Sequence, residues 1–131
     1  LPHVYSYLRD QSALFDMQLE TTLCLGPEVF IGPGSKLFEF LKNGGVAVTK
    51  VLLEMNPHYV TFTGISKESL YFFDPLYRTD SFNSSDVEII MNNPFYNRRI
   101  PISVIAERAQ NAYKLPKPRE RELLLLSRAK N

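Results

Sequence analysis

The chain has 131 residues, enough for one domain with a real core and too few for two ordinary ones. Hydrophobic residues make up 44%, charged residues 22% and the formal net charge is +1, so nothing global points to nucleic acid or an anionic membrane as partner. One cysteine excludes an internal disulfide framework and a cysteine-rich zinc site, and two histidines far from it in sequence argue against a metal centre.

No stretch approaches the ~20 apolar residues that span a bilayer. The longest aliphatic run, Leu123-Leu124-Leu125-Leu126, has the length of a strand. There is no signal-peptide pattern. The chain opens Leu1-Pro2-His3 without an initiator methionine, the mark of processing or of a piece of something longer.

Leu1 to Gln18 is predicted to form an amphipathic helix. Pro2 suits its first turn, and Val4, Tyr7, Leu8, Gln11, Leu14 and Phe15 share one face. Gly26-Pro27 and Gly32-Pro33-Gly34 are breakers, with a short strand expected from Glu28 to Ile31. Ser35 is an N-cap for a helix to Lys42, stopped by Asn43-Gly44. Three strands follow: Gly45 to Glu54, Tyr59 to Gly64 and Ser69 to Phe73, the last two joined by a hairpin turn at Ile65 to Glu68. A short helix is expected from Ser84 or Ser85 to Met91. A second is expected from Ile102 to Lys114, with Ile102, Ile105, Ala106, Ala109, Ala112 and Tyr113 as its buried stripe. Leu115 to Pro118 is a turn, and Glu120 to Ser127 a last strand. This order predicts a single α+β domain with a mostly antiparallel sheet.

The chemistry lies in the central hairpin. His58 opens one strand and Asp74 closes the next, sixteen residues later. If Ile65 to Glu68 is the turn, both sit at the same end of the sheet. A carboxylate there can accept one imidazole N–H, leaving the other nitrogen to take a proton from a thiol. Taken singly, His58 reads as a surface residue at a strand start and Asp74-Pro75 as a common turn. Arg98-Arg99 reads as a solvated basic pair, Lys117, Arg119 and Arg121 as a solvated turn, and Phe62, Tyr71, Phe72 and Phe73 as core and sheet surface. Gly32-Pro33-Gly34-Ser35 lacks the lysine of a phosphate-binding loop.

Gly44-Gly45-Val46-Ala47-Val48, His58-Tyr59-Val60 with Gly64, and an aromatic strand ending Asp74-Pro75 resemble the bacteriocin-processing, double-glycine leader peptidase superfamily. The resemblance covers about Ser35 to Ser127. It implies a papain-like fold with the N-terminal helix against the sheet, His58 as general base, Asp74 as its orienting carboxylate, and no cofactor. The partner it implies is a peptide or protein substrate, cleaved through a thioester.

Such peptidases carry their cysteine at the start of a long helix, where the helix terminus favours the thiolate. Cys24 follows Gln18 at a suitable interval, but Gly26-Pro27 and Gly32-Pro33-Gly34 leave it no helix, and Leu23 and Leu25 make it read as a small buried hydrophobe. The other position is just upstream of Leu1-Pro2, and this is the expectation adopted. The alternative to an enzyme is a peptidase-like module that binds an extended peptide without cutting it.

Overall fold

The computed structural model describes residues 6, 19–32, 34–76, 78, 80, 82, 86–107 and 112–128. Within them the elements in chain order are β1 (Leu19–Leu25), a 3-10 turn (Gly26–Glu28), α1 (Lys36–Lys42), β2 (Val46–Leu53), β3 (Asn56–Ile65), β4 (Ser69–Phe73), β5 (Glu88–Ile89), β6 (Arg98–Pro101), α2 (Ile102–Glu107), β7 (Tyr113–Lys114), a second 3-10 turn (Pro118–Glu120) and β8 (Glu122–Arg128). The helix expected over Leu1 to Gln18 lies outside the described residues except for Ser6, which is helical.

All strands join one antiparallel sheet in the order β1-β8-β2-β3-β4-β6-β5, with β7 also on β2. The fold is therefore α+β with a predominantly antiparallel sheet, as the element order predicts. β7 and β8 share one edge of β2: β8 pairs with Val46 to Thr49, and β7 with Leu52 and Leu53. Ala47 and Val51 of β2, Val60 and Phe62 of β3, Leu70 and Phe72 of β4, Ile100 of β6 and Leu123 and Leu125 of β8 build the core. Leu124 points to the opposite face and is buried as well. That accounts for the unbroken aliphatic run of β8, which a strand buried on one face only would interrupt with polar residues.

α1 begins where its cap dictates. The Ser35 hydroxyl accepts the Phe38 N–H at 3.0 Å, and Leu37 and Leu41 enter the core. The β3–β4 hairpin closes with Ser66 N–H donating to the Ser69 carbonyl at 2.8 Å. Within it the register shifts by one between Phe62 and Gly64, leaving Thr63 as an extra, bulged residue. Nearer the turn Ile65 faces Leu70; beyond the bulge Phe62 faces Phe72. Because side chains alternate with period two, this single residue changes which set of β3 side chains faces the core. Ile65 packs there on one side of the bulge, and Phe62, Val60 and His58 lie on that face on the other.

Several local expectations change. β1 occupies a segment for which the sequence predicts no element, and residues 29–31, expected in a short strand, form none. β1 exists because β8 offers it seven consecutive partners, a non-local cause. Glu88–Ile89 is a strand paired with Arg98 and Arg99 and not part of a helix to Met91. α2 spans Ile102–Glu107, while Tyr113–Lys114, expected inside the same helix, pairs with β2. Arg121 is half-buried and donates to the carbonyls of Val29 and Pro116, each at 2.8 Å, so it is not part of a solvated turn.

The β2–β3 hairpin turns on Glu54 and Met55, both at positive φ (49° and 72°). A two-residue hairpin turn needs such a pair, but L-residues other than Gly, Asn and Asp adopt it at a cost. Met55 is exposed and makes no core contact. Met55→Gly is expected to stabilise the protein by about 1 kcal/mol, relief of the left-handed conformation exceeding the added unfolded-state entropy. Denaturant midpoints of the two proteins at unchanged m-value measure it.

Candidate functional site

β3 and β4 carry the two residues expected to form the site. Beyond the bulge, the register that pairs Thr61 with Phe73 and Phe62 with Phe72 continues to bring Val60 opposite Asp74. His58, two residues before Val60 on the same face, is then the diagonal neighbour of Asp74, within reach of a long side chain. His58 Nε2 lies 2.7 Å from Asp74 Oδ1. The carboxylate has no solvent exposure and the imidazole is 24% exposed. An ionised carboxylate only accepts, so the Nε2 proton points at Asp74 and a neutral ring presents its lone pair at Nδ1. Nδ1 has no hydrogen-bond partner among the described residues.

Asp74 lies just past the end of β4, and its own chemistry holds it there. Oδ1 also accepts the Leu76 N–H at 2.9 Å, a turn closed by an aspartate side chain on the residue two positions on. Oδ2 accepts the Tyr113 hydroxyl at 2.5 Å. The main chain is held by Asn97: Asp74 N–H donates to Asn97 Oδ1 and Asn97 Nδ2 donates to the Asp74 carbonyl, both at 2.7 Å. Asn97 N–H donates to the Phe72 carbonyl at 3.0 Å, so its side chain extends the β4–β6 ladder one step beyond the last paired residues.

Sequence reasoning missed Asn97, Arg98 and Tyr113. Arg98 is not a solvated loop residue. It is 2% exposed on β6, facing the core beside Phe72. Its Nε donates to the Tyr113 hydroxyl at 3.2 Å, Nη1 to the Asn97 carbonyl and Nη2 to the Leu76 carbonyl, both at 3.0 Å. Arg99, on the other face, meets Glu88 at 3.2 Å in an exposed pair worth under ~1 kcal/mol. Leaving one buried polar group at Asp74 without its partner costs ~1–3 kcal/mol, so the buried network outweighs the surface pairs. The signal for Arg98 was its alternation with Ile100, masked by the neighbouring arginine. Tyr113 had the buried position expected of it, but on a strand. Burial first, and the hydrogen bond to Asp74 second, push its hydroxyl far above the ordinary tyrosine range, so it stays a donor.

Cys24 is 5% exposed on β1. It pairs with Leu123, Leu123 with Thr49 and Thr49 with Val60. Three strand spacings therefore separate it from β3, roughly 14 Å, far beyond contact between its thiol and His58. Burial raises its thiol above the ordinary cysteine range; Lys36 opposes and Glu28 adds to the shift. Leu1, just upstream of which the cysteine is expected, lies outside the described residues. No group of three or more His, Cys, Asp or Glu side chains that could hold a metal occurs among the described residues, and no helix there is long and apolar enough to cross a membrane. One cavity of about 270 Å³ adjoins the site, lined by Phe73, Asp74, Pro75, Ile90, Met91 and Asn97 among others.

No family model, curated protein or solved structure matches the chain.

Two outcomes are expected. Cys24 should react with a thiol reagent at neutral pH many times more slowly in the folded than in the unfolded protein, followed by absorbance of the released chromophore. Asn97→Ala removes both bonds to the Asp74 main chain and should lower stability by about 2 kcal/mol, a loss of several degrees in melting temperature by calorimetry.

Proposed function

We propose that this chain carries the base-and-carboxylate half of a papain-like cysteine peptidase site. The observation that carries the reading is the His58 Nε2 to Asp74 Oδ1 bond at 2.7 Å, with Nδ1 unengaged among the described residues. A buried carboxylate behind a partly exposed imidazole is the arrangement a thiol nucleophile requires.

In the proposed reaction His58 Nδ1 takes the proton from a cysteine thiol. The thiolate attacks the carbonyl carbon of a peptide or related amide bond. As the C–N bond breaks, Nδ1 returns the proton to the leaving amine and a thioester remains. Water, deprotonated by the same nitrogen, then hydrolyses the thioester and frees the thiol. Asp74 holds the ring orientation and stabilises the imidazolium formed in each half-reaction. Cys24 is the only cysteine of the 131 residues and is three strands away, so the thiol comes from outside this sequence. No cofactor takes part.

The same remoteness of Cys24 favours a second reading, a module that binds an extended peptide without cutting it. The test uses the full-length polypeptide in which these residues are encoded, with a peptide library read by mass spectrometry. Cleavage blocked by a thiol alkylator and lowered ~10²- to 10⁴-fold in kcat/KM by His58→Ala is the expected result. Peptide capture with no cleavage establishes the module. Cleavage untouched by His58→Ala removes the proposed site.

A further inference from the structure

The carboxylate of Asp74 is asymmetric in its partners. Oδ1 serves His58 and the Leu76 N–H, whereas the side-chain donor to Oδ2 is the Tyr113 hydroxyl. That hydroxyl in turn accepts Arg98 Nε at 3.2 Å. A buried guanidinium and a buried carboxylate this close would ordinarily pair directly, fork to fork. Here a phenol oxygen stands between them. Tyr113 is itself held on three sides: β7 pairs it with Leu53, and the rings of Phe72 and Phe82 meet it edge-on at 4.9 and 5.3 Å. Arg98 is fixed independently by the Asn97 and Leu76 carbonyls.

We propose that Tyr113 is a positioning residue for His58. Backed by Arg98, it anchors Asp74 Oδ2 and keeps the guanidinium off the carboxylate, so that Oδ1 stays committed to His58 Nε2. This rests on the reading of His58 as the base, and it says how that base keeps one tautomer. Without the hydroxyl, Oδ2 is a buried acceptor lacking a side-chain donor among the described residues, and Arg98, already bonded to that hydroxyl, is a charged group able to supply one. The carboxylate then turns toward Arg98, and the imidazole loses the partner that fixes its proton on Nε2.

The experiment is a ¹⁵N spectrum of the histidine rings in the unaltered protein and in Tyr113→Phe, at about pH 9, where imidazoles are ordinarily neutral. The chain has two histidines, so His58→Gln assigns the signals. The unaltered protein is expected to show His58 as the Nε2–H form. In Tyr113→Phe the share of the Nδ1–H form should rise about tenfold or more, the ratio set by loss of one hydrogen bond to a charged acceptor. A variant that keeps the unaltered tautomer ratio overturns the proposal and leaves Tyr113 as packing only. Should Tyr113→Phe fail to fold, the unaltered protein decides. The Tyr113 hydroxyl proton must then appear as a slowly exchanging downfield signal with cross-relaxation to the Phe72 ring, and its absence overturns the proposal. A shifted tautomer, where the full-length polypeptide cleaves nothing, supports the positioning role and removes the peptidase reading. An unshifted tautomer in an active peptidase does the reverse.

Discussion

A carboxylate with no exposed surface must be given a donor on every side, and at Asp74 that requirement reaches across the whole domain. His58 comes from β3 and Tyr113 from β7, while Asn97, just before β6, holds the Asp74 main chain and Arg98 of β6 backs the Tyr113 hydroxyl. A negative charge out of water costs several kcal/mol unless its lone pairs are satisfied. Geometry that is merely near would leave the fold destabilised by its own site. The buried aromatic cluster of Phe72, Phe82 and Tyr113 supplies the rigidity, and the polar network supplies the direction.

The bulge at Thr63 decides whether the two central residues can meet. The turn-proximal register of β3 and β4, carried on without interruption, would set Asp74 opposite Thr61 and on the opposite face from His58. One inserted residue restores the match, and it leaves a trace: the Thr63 hydroxyl is the one buried side-chain polar atom without a partner among the described residues. The bulge thus exchanges one unsatisfied hydroxyl for a shared face.

What could be read from the amino acids alone follows the range of the forces involved. Ser35 caps its helix through a bond three residues long, and the Ile65 to Glu68 turn is closed by neighbours, so both were legible. His58 and Asp74 were legible because a hairpin brings distant numbers together by a local rule. β1, β5 and β7 were not, because each exists only through a partner far along the chain: Cys24 finds Leu123, Glu88 finds Arg99, Leu53 finds Tyr113. Tyr113 shows the ambiguity most plainly. Its place among Ile102, Ile105 and Ala109 fits helical spacing, yet its backbone pairs with a strand. Arg98 was hidden for a different reason. A buried cation is rare, and nothing in the letters Arg98-Arg99 says that one faces the core and the other water.

The way β7 closes on β2 also sets an order of events. His58 and Asp74 are both synthesised before the residue that fills Oδ2, which lies 39 positions after Asp74. A chain growing from its N-terminus therefore exposes its histidine and its aspartate for seconds before Tyr113 emerges from the ribosome. Through that interval the carboxylate lacks one donor and β2 lacks its neighbour on the β8 side. The imidazole gains its fixed orientation only when the last third of the domain has docked, so a nascent chain has the parts of the site without its geometry.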